Sequence, residues 1–241
     1  MRTVSGSAGS HRPALLKRAR QLDAQLKQLA PPALARLMHI SMALAGTTHE
    51  LIAGWGDGPT TAALDAFQGD IYRGLKAPTF SASQRAYANT VLRIMSGLYG
   101  LIEPFDAVEP YRLELAYRLV TTDAANLYEF WGDAVARQLP PTGTIVQLAS
   151  MEYFRVVERF IDPMRVVAPR FMSYLPGQAE PVFVAVHAKV ARGAMARWLI
   201  ATRTTDSAEF SGFDYLGYHY NAAGSRPRSP LFIKALGSPL S

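Results

Sequence analysis

The sequence predicts an α+β fold in a single mixed domain, and three observations carry that prediction. Helical periodicity dominates the first half, short β-rich runs dominate the second, and no linker or internal repeat divides the chain. A length of 241 residues suits one large domain, and 49% hydrophobic with 18% charged residues is the composition of a folded globule.

The elements follow in order. Residues 1–11 are Ser/Gly-rich and read as a flexible arm, not a secretory signal, ahead of one domain over 12–241. Pro13 opens a helix over 13–29 on Leu15, Leu16, Leu22, Leu26 and Leu29, and Pro31-Pro32 stops it. A second helix is expected over 33–45, ended by Gly46. Residues 54–59 are a turn-rich loop, after which Thr60 or Thr61 caps a short helix to Phe67. The glycine-punctuated segment 67–75 reads as a short strand or turn. Ser81 caps a helix to about Met95, and residues 96–100 break it. Residues 113–120 suit a strand, and 127–139 a helix ended by Pro140-Pro141. β-rich runs at 144–148, 166–171, 182–186 and 231–233 then interleave with helices over 150–157 and 188–202.

The net charge of +6 and pI of about 9.6 favour polyanionic partners: nucleic acid, a nucleotide phosphate or an acidic membrane surface. Lys17, Arg18, Arg20 and Lys27 give the first helix a basic side that reads as a solvated face. The chain has no cysteine, which excludes disulfides, thiolate catalysis and Cys-ligated metal centres and fits a reducing cytosol. No apolar run approaches the roughly 20 residues that span a bilayer, and DNA or a small anionic metabolite, not a membrane, is the partner expected.

The chemistry concentrates in a few places. The run Leu92-Arg93-Ile94-Met95-Ser96-Gly97-Leu98-Tyr99-Gly100 has the pattern of a helix–hairpin–helix. Its glycines allow backbone N–H groups to face a phosphate oxygen, contacts that grip a backbone without reading bases. The alternative is a plain helix end with a buried Tyr99. Arg93, Arg112, Lys189, Arg192 and Arg197 complete a candidate phosphate or DNA site with Ser96, Gly97, Tyr99 and Gly100, or else form solvated basic faces. Asp70, Glu114 and Glu152 are candidate general acids or bases in apolar contexts, where a carboxylate must be paired or protonated. Pairing with Arg112, Arg192 or Arg197 is the simplest structural solution. Tyr72, Tyr111 and Trp131, with Tyr99, are candidates for an aromatic pocket. Ser150 reads as an N-cap without the frame of a nucleophile elbow. There is no P-loop, no H-E-x-x-H and no dinucleotide fingerprint, and the five histidines lack ligand spacing, so neither metal nor cofactor is expected.

Seven segments occur together in order: 67–75 (Phe67-x-Gly69-Asp70-x-Tyr72-x-Gly74-Leu75), 92–100, 110–114 (Pro110-Tyr111-Arg112-Leu113-Glu114), 127–133, 148–154, 188–193 and Gly212-Phe213. In these the chain resembles the YaaA family of peroxide stress proteins over roughly residues 12–234. The resemblance implies a mixed α/β fold with a helix–hairpin–helix and a positively charged cleft. It further implies a cytoplasmic protein that binds double-stranded or branched DNA and limits iron-driven damage during peroxide stress. Catalytic activity is not implied. The sequence departs from the family pattern in lacking the usual N-terminal strand ending Ser-Pro-Ala-Lys, and in having Gln147 where Asn is usual, so it reads as a divergent member.

Three functions compete at this level. The first is a DNA-binding protective protein. The second is an enzyme acting on a nucleotide, nucleoside or small anionic metabolite in a pocket of Asp70, Arg112, Glu114, Glu152 and Arg192. The third is a non-catalytic interaction protein that docks through the basic helix 13–29.

Overall fold

The computed structural model describes residues 6–238. In chain order its elements are α1 (Leu16–Leu26), α2 (Pro31–Met38), α3 (Met42–Ala53), β1 (Thr61–Ala62), α4 (Ala63–Ala66), α5 (Asp70–Leu75), α6 (Ala82–Val91), β2 (Ile94–Ser96), β3 (Gly100–Ile102) and β4 (Ala107–Val108). Then come α7 (Leu127–Trp131), β5 (Ile145–Val146), α8 (Met151–Glu158), β6 (Val166–Val167), β7 (Arg170–Ser173), α9 (Ala185–Thr202), β8 (Tyr218–Tyr220) and β9 (Leu231–Lys234). This is the expected α+β mixture. The elements gather into two compact units that interleave in sequence: Met1–Phe67, Leu92–Pro141 and Met151–Ile161 form one, and Gln68–Val91, Thr142–Ser150 and Asp162–Ser241 the other.

In the first unit α1 buries Ala19, Leu22 and Leu26, spaced three and four apart as one helical face requires. The helix expected over 33–45 is instead two. His39 adopts a left-handed conformation (φ 51°) that ends α2, and the Ser41 side chain caps α3 by accepting the Leu44 N–H, so Gly46 falls inside α3. Part of the expected flexible arm, residues 1–5, lies outside the described residues. Its remainder is tied down: the Ser10 and His11 N–H groups donate to the Phe105 carbonyl, and the His11 carbonyl accepts from Ala107. Strand β1 pairs antiparallel with β4 before the short α4.

The expected helix–hairpin–helix does not form. Residues 94–102 are a β-hairpin in which Ile94 pairs with Ile102 and Ser96 with Gly100. The apolar residues that flank the glycines satisfy a two-residue alternation as well as a helical one, and the antiparallel ladder wins. Residues 113–120 form no strand, although Leu113, Leu115 and Leu119 are buried, because no neighbouring segment among the described residues pairs with them. The helix expected over 127–139 is cut at Gly132 (φ 51°), leaving α7 and a separate 3-10 turn at Ala136–Gln138.

In the second unit the segment read as strand or turn is α5, entered through Gly69 at φ 118°, a value that favours glycine. Ser81 and Gln84 form a reciprocal capping box at the start of α6: the Gln84 N–H donates to Ser81 Oγ, and the Ser81 N–H donates to Gln84 Oε1. Helix α6 stops at Val91, short of Met95. Strands β5 and β6 pair in parallel. The main sheet runs β7-β9-β8, with β7 parallel and β8 antiparallel to the central β9. The run 182–186 is not a strand: α9 begins at Ala185, and Val182 makes an isolated bridge to Ser173. Helix α9 packs Ala188, Ala191 and Met195 on Phe171, Phe213 and Phe232. It also meets α5 backbone to backbone. A Cβ on Gly193 would lie 1.8 Å from the Ile71 carbonyl oxygen, and one on Gly74 2.0 Å from that of Val190.

Candidate functional site

The β2–β3 hairpin spends its polar groups internally. Ser96 Oγ accepts the Tyr99 N–H at 2.8 Å and lies 2.6 Å from the Tyr111 hydroxyl. The buried Tyr99 hydroxyl accepts from Trp55 Nε1 and from the Glu109 N–H, both at 3.0 Å, and burial pushes its pKa up to about 12. Trp131, fully buried, donates its indole N–H to the Gly97 carbonyl. A Cβ on Gly97 would lie 2.2 Å from the Leu113 carbonyl, so that face of the turn is packed against chain. Ser96, Gly97, Tyr99 and Gly100 therefore build a core corner. Trp131, packed behind Gly100, offers no ring face to a ligand. Arg93 pairs with Glu103 at 3.0 Å.

Beyond the hairpin, the first unit brings together Arg112, Glu114 and Glu152. The Tyr153 hydroxyl donates to Glu114 at 2.8 Å, and Glu152 Oε1 accepts the Ala116 N–H at 3.0 Å. Tyr128 donates its hydroxyl to the Glu152 carbonyl. Tyr117 sits within electrostatic reach of Arg112, Glu114 and Glu152, and burial raises its phenol. Burial pushes the Tyr153 phenol up as well, with nearby Tyr111 and the two glutamates adding to it. Arg112 Nε is buried without a hydrogen-bond partner among the described residues. The adjoining recess, lined by Asp23, Trp55, Tyr111 and Arg112 among apolar side chains, has room for about one water molecule. Tyr111 packs edge-on against Tyr99 at 5.5 Å. Sequence reasoning missed Tyr117, Tyr128 and Tyr153; three tyrosines near two glutamates was the available signal.

The second unit holds the other predicted residues. Asp70 lies in the first turn of α5 and pairs with Arg73 at 3.3 Å, and burial raises the phenol of Tyr72 on the same helix. On α9, Lys189 is exposed. Arg197 is engaged: its Nη1 donates to Thr79 Oγ1 at 2.6 Å, and the guanidinium lies over the Phe80 ring. Arg192 differs. Among the described residues its buried Nε has no partner, and its one hydrogen bond is a long 3.4 Å contact from Nη1 to the Ala149 carbonyl. No carboxylate among the described residues pairs with it, and burial lowers its pKa.

Charge is divided unequally. The first unit has 13 Lys/Arg against 13 Asp/Glu, and the second has 12 against 6, so the whole +6 resides in the second.

The profile described as peroxide stress protein YaaA matches residues 2–224. The chain belongs to the YaaA family. It is 52% identical over 223 residues to a UPF0246 protein of Salinispora tropica, covering 92% of this chain and 85% of the relative. UPF0246 proteins of Shewanella denitrificans (40% over 233 residues, 92% of this chain and 90% of the relative) and Maricaulis maris (39% over 230 residues, 92% and 87%) are also similar. No helix among the described residues is long and apolar enough to cross a membrane.

Proposed function

We propose that this YaaA-family protein binds DNA through its second unit, in the cytoplasm, as its part in limiting iron-driven damage during peroxide stress. The observation that carries this reading is the charge division. A neutral first unit and a second unit with 12 basic against 6 acidic residues concentrate the attraction for a polyanion in one half of the fold. Arg192 is the anchor. A recessed guanidinium without a carboxylate is destabilised until an anion arrives, and a phosphate diester is the anion a fork of N–H donors suits. Exposed Lys189, Arg203, Arg226 and Arg228 extend the basic character of the unit.

Fluorescence anisotropy with a labelled duplex across a salt series tests the reading. Affinity is expected to fall linearly on log–log axes, with a slope of about −0.9 per phosphate neutralised. Absence of binding to duplex and branched DNA at low salt defeats it.

A second reading draws on the Tyr153–Glu114 hydrogen bond beside Arg112. It makes the first unit a site for turnover of a nucleotide, nucleoside or other small anionic metabolite, with Glu114 or Glu152 as acid or base. Turnover lost in Glu114→Gln and Arg112→Ala, with DNA affinity retained, would favour it.

A further inference from the structure

We propose that the end of the main sheet beneath the first turn of α9 is a binding site for a phosphate group, held closed by Ser238. The strand register builds it. Ser173 on β7 pairs with Lys234 on β9, and Lys234 pairs in turn with Tyr218 on β8. Residues directly opposite one another project to the same face of a sheet. That face is the one α9 covers, because Phe171 and Phe232, each two residues earlier on its strand, lie in the core with Ala188 and Ala191. The covered face is thus apolar along most of its length and polar at one end, where Ser173 (1% exposed), Tyr218 (1%) and Lys234 (4%) stand in a row.

The polar end collects donors and excludes acids. Ser173 Oγ lies 3.0 Å from His187 Nδ1, which α9 supplies from its first turn, and 3.3 Å from the Tyr218 hydroxyl. Helix α9 has no capping side chain and no acidic residue in its first turn, so the positive end of its dipole is uncompensated there. A buried ammonium ordinarily sits against a carboxylate. Lys234 has none among the described residues; Nζ donates at 2.6 Å to the main-chain carbonyl of Ser238. Burial lowers the pKa of Lys234, and burial together with the Lys234 charge lowers that of His187, as expected where positive groups converge without an anion.

The Ser238 carbonyl oxygen takes the place that a phosphate oxygen would occupy. Ser238 is seated on Gly217, which has φ 73° and where a Cβ would lie 2.2 Å from Ser238 Oγ; the Ala235 N–H donates to the Gly217 carbonyl. A phosphate enters by displacing Ser238. It then meets an ammonium and two hydroxyls near the positive end of α9, a set suited to a tetrahedral dianion.

The test follows the His187 imidazole and Lys234 Nζ by NMR in the full chain, titrated with inorganic phosphate against a chloride control of equal ionic strength. A parallel titration with a nucleoside 5′-monophosphate separates free from ester-borne phosphate. Millimolar phosphate is expected to shift both signals. Lys234→Met should weaken binding roughly tenfold or more, the loss of a charged hydrogen bond, while Lys234→Arg retains most of it. Gly217→Ala, which evicts Ser238, should bind more tightly than the parent, a gain that damage to the fold does not produce. Arg192→Ala should leave this binding unchanged, separating the site from the proposed DNA contact. Signals in both the parent and Gly217→Ala that do not respond to either phosphate would overturn the proposal.

Discussion

The two units solve the same problem in opposite ways. In the first, most polar side chains satisfy one another, Arg112 Nε being the exception: Ser96 pairs with Tyr111, Tyr99 with Trp55, Glu114 with Tyr153, Arg93 with Glu103. In the second, two recessed cations lack an acid, Arg192 with its weak contact to Ala149 and Lys234 with the Ser238 carbonyl. Buried polar groups that pair rigidify a core, whereas buried cations that do not pair weaken the fold and are ready to take an anion. The net charge of +6 therefore describes half of the molecule.

The largest expected effect contrasts one glycine from each unit. Gly193→Ala drives a Cβ into the Ile71 carbonyl and should cost roughly 3 kcal/mol, as overpacking of a rigid contact does. Gly46→Ala, in α3 of the first unit with nothing within 4 Å of the added Cβ, should instead stabilise by roughly 0.5–1 kcal/mol. Thermal unfolding of the two variants reads both signs, at about 2–4 °C per kcal/mol for a chain of this size.

Next in size is the pH response of the second unit. The pKa of His187 is lowered by the fold, so protonation favours the unfolded chain. The stability this residue contributes is fully present above the unfolded value of about 6.5 and is lost as pH falls below it and through the lower folded value. Its NMR titration midpoint should lie below that value, and Lys234→Met, by removing a repelling charge, should move it upward. A midpoint that stays put in Lys234→Met contradicts the placement of Lys234 beside it. The smallest effect belongs to the exposed Arg137–Asp133 pair just beyond α7 in the first unit. Arg137→Ala should change stability by less than about 0.5 kcal/mol by urea denaturation.

Much of this organisation is legible in the sequence. Pro13 ahead of a leucine stripe marks α1, and Ser81 with Gln84 marks the start of α6, because capping chemistry is local. The hairpin at 94–102 was not legible as such, since glycines three apart between apolar residues suit a helix break and a tight β-turn equally, and only Ile94 pairing with Ile102 decides. His39 ends α2 in a left-handed conformation uncommon outside glycine, so Gly46 looked like the stop. Arg112, Glu114 and Glu152 could be named in advance because they sit in short aromatic motifs. The row of Ser173, Tyr218 and Lys234 could not, because strand register joins residues far apart in the chain. Its trace in the sequence is faint: Ser173 and Lys234 each follow a core phenylalanine by two residues.

The central claim is that the second unit holds the anion-seeking half of the protein. It is tested most directly by the salt dependence of duplex DNA affinity in Arg192→Ala and Arg112→Ala, two arginines with a buried Nε lacking a partner, one in each unit. Arg192→Ala is expected to weaken binding and flatten the log–log salt slope by about one, while Arg112→Ala leaves both unchanged. A flattened slope in Arg112→Ala with Arg192→Ala unaffected would contradict it.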